Sequence, residues 1–151
     1  MLGTLNRPQI DNLLYSQIHG RLGCTADGKV YIVPLTYAYD GDYIYVHTIE
    51  GLKIKMMRKN PQVCFEVERI DDMAHWQSAC LWGSYEELEG QQAEDGLQLI
   101  INRTHPFMTS DTSRPKHGLD RPGQPRPRKA SVIFRIKVNE ATGRFEKRNH
   151  M

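Results

Sequence analysis

The sequence predicts a mainly β protein in which six antiparallel strands close into a small barrel with helices at its ends. Three observations carry this. Asp27-Gly28 and Asp40-Gly41 are hairpin turns between strand-like runs, because both positions of such a pair tolerate positive φ. Apolar residues alternate at Ile44 and Val46, at Val63, Phe65 and Val67, and at Val132, Phe134, Ile136 and Val138. Helical periodicity is confined to three short stretches. The 151 residues, 39% hydrophobic and 25% charged, suit one globular domain over 1–151 with a sizeable core.

A first helix is expected from Pro8 to about Gln17, with Asn6 or Arg7 at its cap and Ile10, Leu13, Leu14 and Ile18 as one apolar stripe. Gly20 is expected to end it. Arg21–Ala26 is a short strand, and the Asp27-Gly28 turn leads into a second strand, Lys29–Tyr39. Both faces of that strand are largely apolar, so one is expected to meet the core and the other a ligand or a second subunit. Pro34 lacks an amide donor and marks an edge, a bulge or a break in pairing.

After Asp40-Gly41, strand three runs from Tyr43 to Thr48, with Ile44 and Val46 on one face and Tyr43, Tyr45 and His47 on the other. A basic helix follows from about Glu50 to Lys59 and stops at Asn60-Pro61. Strand four presents Val63, Phe65 and Val67 on one face and is broken at Asp71-Asp72. Strand five, about His75 to Leu88, passes through Gly83, a bulge or close backbone approach. A helix spans Gln92–Arg103. Residues 104–130 form a Pro-rich, basic excursion holding five of the eight prolines. Strand six is Val132–Val138, and Thr142-Gly143 is read as a turn.

The 20 Lys and Arg against 18 Asp and Glu argue against general nucleic-acid affinity. No apolar run reaches a membrane span and the N-terminus lacks a signal-peptide core, so a cytoplasmic protein is expected. Cys24, Cys64 and Cys80 form no CxxC pair, and the histidines show no ligand spacing, so no metal site is expected.

The stretch from Val30 to Pro61 carries the chemistry. A strand ending in His47-Thr48 precedes a helix start with Lys53 and Lys55, and Arg58 further along. Unpaired amides, a hydroxyl and cations together can hold a phosphate. Aromatic-rich strands beside it can hold a flat ring. Spacing alone favours the plainer alternative, a solvated basic helix face. His47 is either a general acid or base or a hydrogen-bonding structural residue. Trp82 either stacks on a ring or fills a core or interface.

Taken in order, GRLGC at 20–24, VPLTYAYDGDYIYVHT at 33–48, the basic helix to Asn60-Pro61, CFEVE at 64–68, HWQSACLWGSYEEL at 75–88 and the closing ATGRFEKR resemble the pyridoxamine 5′-phosphate oxidase-like flavin-binding split barrels, nearest to the nitroimidazole-resistance branch. The resemblance implies a six-stranded antiparallel split β-barrel forming a homodimer, with flavin mononucleotide (FMN) at the subunit interface. The ring would lie along Pro34, Leu35, Thr36 and Tyr37. The phosphate would lie near His47, Thr48 and Lys53, with Lys55 helping, and the second subunit would contribute Trp82. His47 falls where the nitroimidazole-resistance proteins carry a histidine near the ring, which makes it the candidate catalytic residue. The substrate-binding Arg and His of true pyridoxamine phosphate oxidases are not evident, so that activity is not expected.

The implied function is an FMN-dependent oxidoreductase passing electrons from a reduced nicotinamide donor to a small acceptor, a nitro-aromatic among the candidates. The alternative is a non-catalytic flavin-binding or sensing protein. A third reading, an anionic partner bound by the basic segment 114–129, ranks last.

Overall fold

The computed structural model describes residues 1–107 and 130–148. In chain order the elements are β1 (Leu2–Thr4), α1 (Arg7–Ser16), β2 (His19–Ala26), β3 (Lys29–Thr36), β4 (Ala38–Tyr39), β5 (Tyr43–Ile49), α2 (Leu52–Lys59), β6 (Gln62–Asp72), β7 (His75–Glu87), α3 (Gly90–Thr104) and β8 (Ser131–Lys147). The proposed role of 114–129 lies outside the described residues. No helix among the described residues is long and apolar enough to cross a membrane.

The mainly β class with peripheral helices holds, but the six-stranded closed barrel does not form. The sheet has eight strands on an open path, β3-β2-β6-β7-β8-β5-β4, with β1 added beside β8. The Lys29–Tyr39 run explains this. It supplies both ends of the path, β3 at one and β4 at the other, because the chain leaves the ladder at Tyr37. Tyr37 is fully buried, edge-on to Phe65. Its hydroxyl donates to the Leu14 carbonyl at 2.7 Å and its N–H to the Ile18 carbonyl at 2.9 Å. Those bonds hold Tyr37 out of the strand. On β3, Pro34 offers no N–H to any further neighbour, so the ends are joined by the chain and not by a ladder.

Local chemistry explains the other elements. Asn6 caps α1, accepting from Gln9 N–H at 3.0 Å while the Gln9 side chain accepts from Asn6 N–H at 2.9 Å, a capping box. Asp27 and Gly28 turn the β2–β3 hairpin with φ of 53° and 77°. Asp40 Oδ1 accepts from the Asp42 and Tyr43 amides at 2.9 and 2.8 Å, closing the next turn.

Two further expectations are corrected. Gly20 does not end α1 but lies within β2, opposite Leu35. The break expected at Asp71-Asp72 is present: the β6–β7 register shifts between Ile70 and Asp72, and β6 ends at Asp72. Thr142-Gly143 is not a turn, because β8 runs unbroken to Lys147. Gly143 is small for packing: a Cβ there would sit 2.8 Å from Leu5 Cβ and 2.9 Å from Ile10 Cγ1. The register does shift at Trp82/Gly83, as expected of the latter.

One face of the sheet makes the core. Leu22, Phe65, Val67, Leu81, Ile44, Val46, Phe134 and Ile136 are buried there. α1 adds Ile10, Leu13 and Leu14, and α2 adds Ile54, Met56 and Met57 to the same cluster. The helix α3 packs instead over β5, β8 and β4. A Cβ at Gly96 would meet Tyr45 and Ile133, both on the face turned away from the core, so α3 covers that outer face.

Candidate functional site

The predicted residues fall into two groups. The first is a corner where β5 ends and α2 begins. Thr48 and His47 are half-buried near the end of β5, and His47 Nε2 lies 2.6 Å from Ser131 Oγ on β8. α2 starts from Gly51, which supplies no side-chain cap, so the first amides of the helix point out without a partner from that residue. Lys53, in this first turn, is half-buried beside Cys24 of β2. Burial pushes its ammonium below the usual lysine range. None of the ion pairs among the described residues involves it. A partly desolvated cation without a counter-ion, next to unpaired amides, suits a bound anion.

The other cations of α2 divide. Lys55 is exposed. Arg58, expected to add positive charge, is instead held by Glu50 and Glu87, and both carboxylates raise its pKa. It is spent on structure.

The second group lies on β3. Pro34 and Thr36 are exposed on its outer face, and Leu35 is half-buried toward the core. Together with His19, Gly20 and Arg21 of β2 they line a cavity of about 330 Å³. Thr36 Oγ1 is 3.2 Å from His19 Nδ1. Tyr37 is wholly buried, with burial raising its phenol pKa, so only its backbone is near the surface group.

Trp82 joins neither group within one chain. It is 41% exposed on the outer face of β7, opposite Cys64. Pro34 shares that face, but β2 and β6 lie between them and Trp82 is two residues off its register, a separation of about 16 Å at the usual strand dimensions. Around them the outer face is apolar, with Val30 at 71% and Ile32 at 68% exposure. Its polar centre is Arg21, Glu66 and Glu68. Arg21 reaches Glu68 at 3.1 Å, while Glu66 Oε1 is buried with no hydrogen-bond partner. Burial, then the neighbouring Glu68, pushes the Glu66 carboxyl up to about 7.

His19, Arg21 and Ser131 were missed as site neighbours. The first two were within reach: counting back from the Asp27-Gly28 turn sets His19 opposite Thr36 and Arg21 opposite Pro34. Ser131 follows the basic segment, and nothing in the sequence ties it to His47.

Fold and site define an open antiparallel sheet with a half-buried lysine at one corner, lacking an ion-pair partner among the described residues, and a largely apolar, uncovered outer face. The chain belongs to the pyridoxamine 5′-phosphate oxidase family, whose model matches residues 6–145. An uncharacterised protein of Rhizobium meliloti (strain 1021) is 33% identical over 88 residues, so the chain spans about 58% of the length of this curated relative. A FAD-binding protein of Mesorhizobium loti superposes with a TM-score of 0.74 at 27% identity, covering 98% of each chain. A candidate 5-nitroimidazole antibiotic resistance protein of Bacteroides thetaiotaomicron gives a TM-score of 0.70 at 19% identity, over 96% of this chain and 89% of that one. That likeness speaks to fold alone, so the family is established and the nitroimidazole-resistance branch is not.

Proposed function

We propose that this chain is an FMN-binding oxidoreductase that passes electrons from a reduced nicotinamide donor to a small acceptor. The observation that carries the reading is Lys53, a half-buried ammonium without a carboxylate beside an uncapped helix start. There it would hold the phosphate, with the Thr48 hydroxyl and the amides of the first turn. Lys55 would add charge from the solvent side. Pro34, Leu35 and Thr36, with the backbone of Tyr37, would form the wall along the ring. The Mesorhizobium loti relative, which binds FAD, supports a flavin at this site.

When bound, the flavin supplies the hydride and electron chemistry, and the protein binds, orients and shields it. His47 lies 2.6 Å from Ser131 Oγ and would be the candidate to give or take a proton at the ring. A homodimer completes the site. The apolar outer face of β3, β2, β6 and β7 is a large exposed patch of the kind that marks an interface, and Trp82 of the partner subunit would reach the ring wall that the same chain's Trp82 does not.

Purified protein should absorb as a flavoprotein, release FMN on denaturation, and bleach with NADH or NADPH under anaerobic conditions. Bound flavin that no nicotinamide donor reduces would indicate a binding or sensing protein. Protein that is colourless and takes up no added flavin would end the reading.

A further inference from the structure

The bare outer face has a polar centre, and the charge of that centre decides whether a second copy can cover it. Register places it. One row across the four strands runs Pro34, Arg21, Glu66 and Cys80, and the next runs Ile32, Gly23, Cys64 and Trp82. Glu68 stands on the same face of β6, two residues from Glu66. Arg21, Glu66 and Glu68 therefore form one cluster beside the exposed Ile32 and Trp82.

In this cluster one cation serves two carboxylates. Arg21 Nη2 lies 3.1 Å from Glu68 Oε1, so Glu68 holds the cation. Glu66 Oε1 is buried and has no hydrogen-bond partner among the described residues. With both carboxylates ionised the cluster carries one excess negative charge; with a proton on Glu66 it is neutral. A homodimer with a two-fold axis brings the same patch of both chains to one interface. Closing that interface on ionised clusters strips water from the excess charge of each copy, which is costly.

Given the homodimer proposed above, on which this rests, we infer that a second copy of this chain covers the face with Glu66 protonated, so that each chain takes up one proton from solvent as the dimer closes. Within one chain, burial and then Glu68 push the Glu66 carboxyl up to about 7, with Arg21 opposing, so the proton is lost as pH rises past neutrality. The other groups facing Glu66 are Cys64 and Glu68 on β6, Arg21 on β2 and Cys80 on β7, whose thiol is pushed up by burial. His19 stands two residues from Arg21 on the same face of β2.

The test is sedimentation equilibrium of the full chain at fixed ionic strength, from about pH 6 to about 8.5. Wild type, Glu66→Gln and Glu68→Gln are compared, each checked for folding by circular dichroism. The wild-type dimer dissociation constant should rise at least about tenfold across that range. Glu66→Gln cannot ionise and should hold its dimer within about twofold throughout. Glu68→Gln leaves a single carboxylate for Arg21, so it too should lose the weakening at high pH. A wild-type dimer indifferent to pH, or the wild-type slope kept in either variant, overturns the inference while the homodimer stands. Chains that are monomeric at every pH overturn both.

Discussion

Over β5 and β8 the outer face of the sheet lies under α3, whereas over β3, β2, β6 and β7 the same face carries no helix among the described residues. The two halves have different side chains for that reason. Beneath α3, Gly96 brings the helix close to Tyr45 and Ile133, and Leu97 and Ile100 are buried. On the bare half, Val30, Ile32 and Trp82 face outward, and a carboxylate oxygen of Glu66 lies buried without a partner. The covered half meets its needs within one chain. The bare half has the composition of a surface that another surface is meant to cover.

Substitutions should separate the halves. The largest effect belongs to the covered side. Leu97→Ala leaves a cavity under α3 and should lower unfolding free energy by about 2–5 kcal/mol, measured by chemical denaturation. A loss below about 1 kcal/mol would mean that α3 does not pack firmly on the outer face of the sheet. On the bare side, Ile32→Glu should shift the protein to monomer in sedimentation while changing the stability of the chain by only about 0.5 kcal/mol. A dimer that survives Ile32→Glu would put the interface elsewhere.

Glu66 gives the smallest effect and sharpens the contrast. Its carboxyl is raised by burial and by Glu68, so between pH 4.5 and about 7 the folded protein keeps a proton that the unfolded chain releases. Stability should therefore fall as pH rises through that window. Groups facing Glu66 are Arg21 on β2, Cys64 and Glu68 on β6, and Cys80 opposite on β7. Glu66→Gln removes the titration, so its thermal midpoint should rise relative to wild type at neutral pH and flatten across the window. An unchanged slope would show that other groups set it.

Much of this was legible in the sequence. Strand faces on β5 and β6, the α1 cap at Asn6, the Asp27-Gly28 hairpin, the edge position of Pro34 and the irregularity at Gly83 all follow from local patterns. What was missed depends on distant residues. Tyr37 alternates like a strand residue, but its hydroxyl donates to the Leu14 carbonyl and its N–H to the Ile18 carbonyl, so it lies outside the ladder. Gly143 reads as a turn until Leu5 and Ile10 are seen against it. Arg58 looked like a free cation because Glu87, one of its partners, is 29 residues away. The corner between β5 and α2 was partly visible, since Thr48 and Lys53 are near in sequence. The burial of Lys53 beside Cys24 depends on α2 packing against β2, which no local pattern reveals.

The most direct test is of Lys53 as the phosphate anchor. Lys53→Ala should weaken FMN binding by about tenfold or more while leaving riboflavin, which has no phosphate, within about twofold, both read by flavin fluorescence titration. Equal losses for FMN and riboflavin, or no loss for either, would contradict it.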